Sequence, residues 1–223
     1  MNCLQLRYKC LILDHDDTAV KSTPELHYPA FVKAMQVLRP KERPFSLEQF
    51  VTYSYDPGFA EMLYDIVKLT PEERNYQYQV WRDAVDAVVP DFYEGFPELL
   101  ERFKDAGGII TVVSHSECAH IRKHYEQKCN VSPDLIFGWE EEAEKRKPNP
   151  YPIKEILRTF ALKEEDALML DDLKPGIVMA KSCCVPCAAA GWAHQIPVIQ
   201  QYMKAHADYY FSAVKEFADF VFM

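Results

Sequence analysis

The stretch Tyr8–Val20, YKCLILDHDDTAV, leads a short apolar run into three carboxylates within four positions, Asp14, Asp16 and Asp17, closed by Thr18. A buried strand with this ending gathers negative charge where solvent can least relieve it. Like charges so close raise one another's pKa and favour either protonation or a bound cation. Side chains of an extended segment alternate in direction, so Asp14 and Asp16 face one site while His15 points away. One strand end can thus supply both a nucleophile and a proton donor. Alone, the cluster reads equally well as a solvated acidic turn, and the rest of the chain has to decide.

Similar apolar runs recur at Ile109–Val113, Ala167–Leu170 and Cys187–Ala190, with weaker ones at Leu135–Phe137 and Asp208–Phe211. Continuous apolar runs are the mark of strands buried on both faces of a parallel sheet. Helical patterns lie between them, at Pro97–Asp105, Glu117–Lys128, Pro152–Phe160, Pro175–Cys183 and Ile196–Ala205. The alternation predicts a doubly wound α/β sheet. Residues 20–93 break the rhythm: no strand, and helical patterns around Tyr28–Leu38, Gly58–Val67 and Pro71–Val88, with turn-rich breaks at Arg39–Pro44 and Tyr53–Gly58. They read as an all-helical insertion in a core formed by residues 1–19 and 94–223.

Of 223 residues 48% are hydrophobic, enough for a large core, and the net charge is −9 with no Lys/Arg stripe. That balance argues against nucleic acid as a partner. No segment reaches the roughly 18 apolar residues of a membrane span, and no signal-peptide pattern opens the chain. Seven irregularly spaced cysteines suit a reducing cytoplasm. The cluster Cys183, Cys184, Cys187 lacks the second pair of a metal site and reads as a helix end, a turn and a buried strand.

Ligands of open α/β sheets bind at the carboxyl ends of strands. Asp14, Ser114 and the pair Asp171–Asp172 each stand at such an end. Asp14 is placed to accept a phosphoryl group as an acyl phosphate. Asp16 is placed to protonate the leaving oxygen and then activate water, a task for a carboxyl of raised pKa. The Ser114 hydroxyl and the backbone N–H groups after it suit phosphate oxygens. Lys147, in RKPNPYP before a helix, is a cation for phosphate and for the nucleophile's charge. Asp14, the Asp16 carbonyl, Asp171 and Asp172 make the all-oxygen set that Mg²⁺ prefers.

With these four pieces in this order the chain resembles the haloacid dehalogenase-like hydrolases. Asp-x-Asp-x-Thr matches Asp14, Asp16 and Thr18; the strand-end Ser matches Ser114; the Lys before Pro-x-Pro matches Lys147; the acidic pair matches Asp171 and Asp172. The resemblance runs from residue 8 to about 192. It implies a Rossmann-like core, Mg²⁺, a phospho-aspartate on Asp14, and a helical cap at residues 20–93 as in phosphoglycolate phosphatase-like members. It also implies Asp172 as the direct metal ligand, with Asp171 a second or outer ligand. Three positions depart from the family: Asp17 stands in place of Gly, Lys21 in place of a frequent Asp, and Leu173 in place of a frequent Ser.

The expected activity is Mg²⁺-dependent hydrolysis of a small phosphorylated metabolite. A sugar phosphomutase, returning the phosphoryl group to substrate, and a catalytically silent binding domain are the alternatives. Asp16 argues against a dehalogenase, which needs no leaving-group acid. Substrate choice falls to the cap, where Tyr53, Tyr55, Asp56 and Gly58 are candidate contacts, and to His115 in the core.

Overall fold

The computed structural model describes residues 5–222. Six strands form one parallel sheet: β1 (Cys10–Leu13), β2 (Ile109–Val113), β3 (Leu135–Phe137), β4 (Ala167–Asp171), β5 (Cys187–Ala190) and β6 (Tyr209–Phe211). Their order is β3-β2-β1-β4-β5-β6. The chain winds one way from β1 to β3, then returns to the other side of β1. The crevice between β1 and β4 is therefore the switch point at which such sheets bind ligands. Register makes that crevice polar: Leu13 pairs with Leu170, so Asp14 and Asp171 come level one residue on.

The strands are continuous apolar runs because both sheet faces are covered. Leu11, Leu13, Ile110, Val112, Leu168 and Leu170 pack in one cluster with helices Phe96–Asp105, Cys118–Cys129 and Val214–Val221. The helix Phe96–Asp105 shows why it forms: Phe96, Leu99, Leu100 and Phe103 fall on one helical face, and all are buried. Each such side chain contributes roughly 1.5–3 kcal/mol on burial. The helix stops at Gly107, whose φ of 85° no ordinary residue adopts cheaply. By alternation Cys10, Ile12 and Met169 face the other side, where helices Tyr151–Thr159, Lys174–Ser182 and Pro197–His206 bury Ile153, Ile156, Ile177, Met179, Ile199 and Met203.

The chain divides into two compact units: the described residues up to Val20 with those from Asp91 onward, and Lys21–Pro90. The second unit is all helical. Helices Tyr28–Leu38 and Pro71–Ala87 pack together, and Arg39 at the end of the first makes a two-pronged ion pair with Glu73 of the other. Two helices escape the sequence reading. Leu47–Tyr53 is only 7 residues long and is opened by a Ser46–Gln49 capping box; Val214–Val221 has 8 residues. Both are too short for periodicity to separate them from loop. The break at Tyr53–Gly58 is itself partly helical, with the chain leaving helical geometry at Asp56 (φ −153°, ψ 121°). Among the described residues no helix is long and apolar enough to cross a membrane.

Candidate active site

Asp14 continues β1 for one residue, its N–H donating to Leu170 O at 2.9 Å. The chain then turns. Asp17 takes the left-handed region at φ 58°, which Asp tolerates better than most side chains. Its N–H donates to the Val20 carbonyl at 2.8 Å, and the Trp192 indole N–H donates to the Thr18 carbonyl at 3.1 Å. The turn is thus fixed from within and from the loop after β5.

Six side chains selected from sequence meet here: Asp14, Asp16, Ser114, Lys147, Asp171 and Asp172. Lys147 Nζ lies 2.5 Å from Asp14 Oδ1 and 2.9 Å from Asp171 Oδ2, and all three residues are buried. Asp16 points to the end of β2, where its Oδ2 accepts from Ser114 Oγ at 3.3 Å and from Ser116 Oγ at 2.6 Å. The Ser116 N–H closes the loop by donating to Ser114 Oγ at 3.1 Å. Asp172 accepts from Thr18 Oγ1 at 2.8 Å on one oxygen and from His194 Nε2 at 2.7 Å on the other. His15 turns into the core instead, its Nε2 3.0 Å from His124 Nδ1. His115 lies exposed and donates through Nε2 to the Lys147 carbonyl at 2.9 Å. Tyr53, Tyr55, Asp56 and Gly58 belong to the helical unit, in and beside the Ser54–Gly58 turn.

Burial and charge divide the acids. Burial pushes the Asp14 carboxyl well above the usual range; Lys147 opposes this, while Asp171, Asp172 and Asp16 add to it. Burial likewise raises Asp171 to about 6 against the pull of Lys147. Asp172 is buried too, yet the hydrogen bond and charge of His194, with Lys147 and Thr18, bring it below the usual range. Burial works to deprotonate Lys147, but Asp14 and Asp171 reverse that and hold it charged. Burial also opposes charge on His194, and Asp172 and Asp17 overcome it. One carboxylate is therefore held ready as an anion, while two crowd a single ammonium group.

Ligand oxygens of Asp14, Asp171 and Asp172 lie within 4.8 Å of one another, and so do those of Asp17 and Asp172 with a nitrogen of His194. Ser116, His194 and Gly176 were not singled out from sequence. Ser116 had a signal, the repeat Ser114-x-Ser116 after a strand. Gly176 is explained by close approach: a Cβ there would lie 2.1 Å from Asp171 Oδ2. His194 had none, being 177 positions from Asp17.

The sequence profile of the haloacid dehalogenase-like hydrolases matches residues 11–190. Comparison with curated protein sequences gives no significant match. Solved structures with the same fold include a predicted phosphoglycolate phosphatase from Haemophilus somnus 129pt, at 21% identity and TM-score 0.78, with 96% of each chain covered. CbbY from Rhodobacter sphaeroides, in complex with phosphate, aligns at 18% identity and TM-score 0.67 over 92% of this chain and 94% of that one. A haloacid dehalogenase-like family hydrolase from Streptococcus pneumoniae aligns at 17% and 0.74 over 99% of each. At these identities the likeness is one of fold, and the profile match over most of the chain carries the assignment: the protein belongs to the haloacid dehalogenase-like hydrolase family.

Proposed function

We propose that the protein is a Mg²⁺-dependent phosphatase that hydrolyses a small phosphomonoester through a phospho-aspartate on Asp14. The observation that carries this reading is the buried bridge of Lys147 between Asp14 and Asp171, with Asp16 held beside it by two serine hydroxyls. Two structures of one protein of the same fold support the reading by what it binds: CbbY from Rhodobacter sphaeroides has been seen with phosphate and, as a mutant, with xylulose-(1,5)bisphosphate. A reducing cytoplasm suits the free cysteines Cys10, Cys129 and Cys187.

The donor set fits a divalent cation. Lys147 pairs with Asp14 and Asp171, and His194 with Asp172, yet burial, with the charges of Asp171, Asp172 and Asp16 added to it, still lifts Asp14 well above its usual pKa. Oxygen donors in a tight cluster suit Mg²⁺ rather than a softer metal. Asp14, Asp172 and the Asp16 carbonyl would hold it; Asp171 is engaged by Lys147 and by the Leu173 N–H at 2.8 Å. When bound, Mg²⁺ supplies positive charge to the phosphoryl oxygens.

The chain's own groups then divide the work. Lys147 occupies Asp14 Oδ1, leaving Oδ2 to attack phosphorus. The ester P–O bond breaks as Asp16 gives its proton to the departing oxygen, so the alcohol leaves neutral. Asp16, now a carboxylate, takes a proton from water as that water attacks phosphorus. The acyl phosphate breaks, phosphate leaves, and Asp14 and protonated Asp16 are restored. Ser114 and the N–H groups after it hold phosphoryl oxygens, and Lys147 offsets the charge that builds there. We assign substrate selection to the helical unit, through Tyr53, Tyr55, Asp56 and Gly58, and to His115.

A phosphoester panel covering phosphoglycolate, sugar phosphates, nucleotides and pyrophosphate tests the reading. Phosphate release that needs Mg²⁺ and disappears in the isosteric Asp14→Asn variant is expected. Near-normal turnover by that variant contradicts the nucleophile.

A further inference from the structure

We infer that Asp17 and His194 act as a positioning pair behind Asp172, fixing that carboxylate for the cation and so setting the protein's Mg²⁺ affinity. The inference rests on the reading above, in which Asp172 is a direct ligand. Its basis is local geometry. Asp172 accepts on both oxygens, from Thr18 Oγ1 at 2.8 Å and from His194 Nε2 at 2.7 Å. Rotating the carboxylate breaks at least one of these bonds, while each oxygen keeps lone-pair capacity for a further partner. The group is thus pinned in plane without being used up.

Asp17 stands near the same nitrogen of His194. That Nε2 lies 3.9 Å from Asp17 Oδ2, and the His194 side chain is 8% exposed, with Asp17 at 7% and Asp172 at 2%. His194 Nε2 thus faces both buried carboxylates at once, hydrogen-bonded to Asp172 and close to Asp17. Thr18 comes from the turn after β1, whereas His194 comes from the loop after β5, so the carboxylate is clamped from both sides of the β4 end.

This gives Asp17 a task. Glycine at that position, the usual residue of the family, would suit the left-handed backbone better but would take the Asp17 carboxylate away from His194. Groups that orient a metal ligand typically contribute 10–100-fold to metal affinity. A pair that merely fills space would not change cation binding selectively.

Isothermal titration of the metal-free protein with MgCl₂ tests the pair. His194→Ala should weaken Mg²⁺ binding about 10–100-fold, with the loss falling on the Mg²⁺ dissociation constant more than on kcat at saturating Mg²⁺. His194→Gln, which keeps an amide donor, should recover part of it. Circular dichroism checks that each variant is folded. Asp17→Asn, isosteric and compatible with the turn, should weaken Mg²⁺ binding in the same direction and carries the test should His194→Ala not fold. Unchanged or tighter Mg²⁺ binding by folded variants overturns the pair while leaving the metal reading intact. A wild-type protein that binds no Mg²⁺ overturns both.

Discussion

Lys147 and Asp14 show how far single side chains are pressed here. Each is buried, and each is a poor candidate for burial without the other. Removing one partner of such a pair leaves the other uncompensated, which typically costs about 3–5 kcal/mol. Lys147→Met should lose about that much stability in urea titration of the metal-free protein, along with turnover. A loss near zero would mean that the ammonium group is not the counter-charge of Asp14 and Asp171. These residues were legible in sequence because chemistry restricts their type: a strand-end Asp-x-Asp, a Lys before Pro-x-Pro, an acidic pair after ALML. His194 was not, since nothing near it in sequence marks its meeting with Asp17 and Asp172. Folding alone brings them together.

At the level of elements, the sheet was readable because fully buried parallel strands leave no polar alternation to confuse them. The edge strand β6 and the short helices Leu47–Tyr53 and Val214–Val221 were harder, as they bury only part of themselves or span only about two turns. The helix Lys174–Ser182 presses against the site through Gly176. A methyl group there meets the Asp171 carboxylate, so Gly176→Ala should cost about 1–3 kcal/mol as overpacking and shift Asp171 off Lys147, lowering kcat; a variant with wild-type melting temperature and kcat would contradict that contact. In the helical unit, Thr70 and Glu73 form a capping box at the start of Pro71–Ala87, and Glu73 also pairs with Arg39. The hydrogen bond from Arg39, with that from the Thr70 N–H, holds the Glu73 carboxyl at about 2, below its ordinary 4.5. A depressed carboxylate stabilises the fold above its unfolded pKa and loses that contribution as pH falls through the folded one. Glu73→Gln keeps the capping geometry but not the charge. It should therefore be less stable than wild type above pH 4.5, with the difference fading as pH drops toward 2; a difference that persists unchanged at low pH would assign the effect to shape instead.

For the whole molecule, one fact organises the rest: the topology places three strand ends, each carrying acids or a serine, around a single crevice. The sheet provides position, the two covered faces provide rigidity, and the cost is a crowd of buried carboxylates. A cation that binds the folded protein alone relieves that crowding and stabilises by mass action, about 2.7 kcal/mol at a hundredfold excess over its Kd. Mg²⁺ should accordingly raise the melting temperature of EDTA-treated protein and restore activity, whereas Ca²⁺, with its looser coordination, should restore activity poorly. The same melting temperature with and without Mg²⁺ would contradict the cation site.

The covalent step proposed on Asp14 leaves a chemical trace. Mixing the enzyme with a turned-over phosphoester, quenching in acid within a turnover, and mapping peptides by mass spectrometry tests it directly. One phosphoryl group is expected on the peptide carrying Asp14, sensitive to hydroxylamine and absent from Asp14→Asn. Turnover without label at Asp14, or label on another residue, would contradict it.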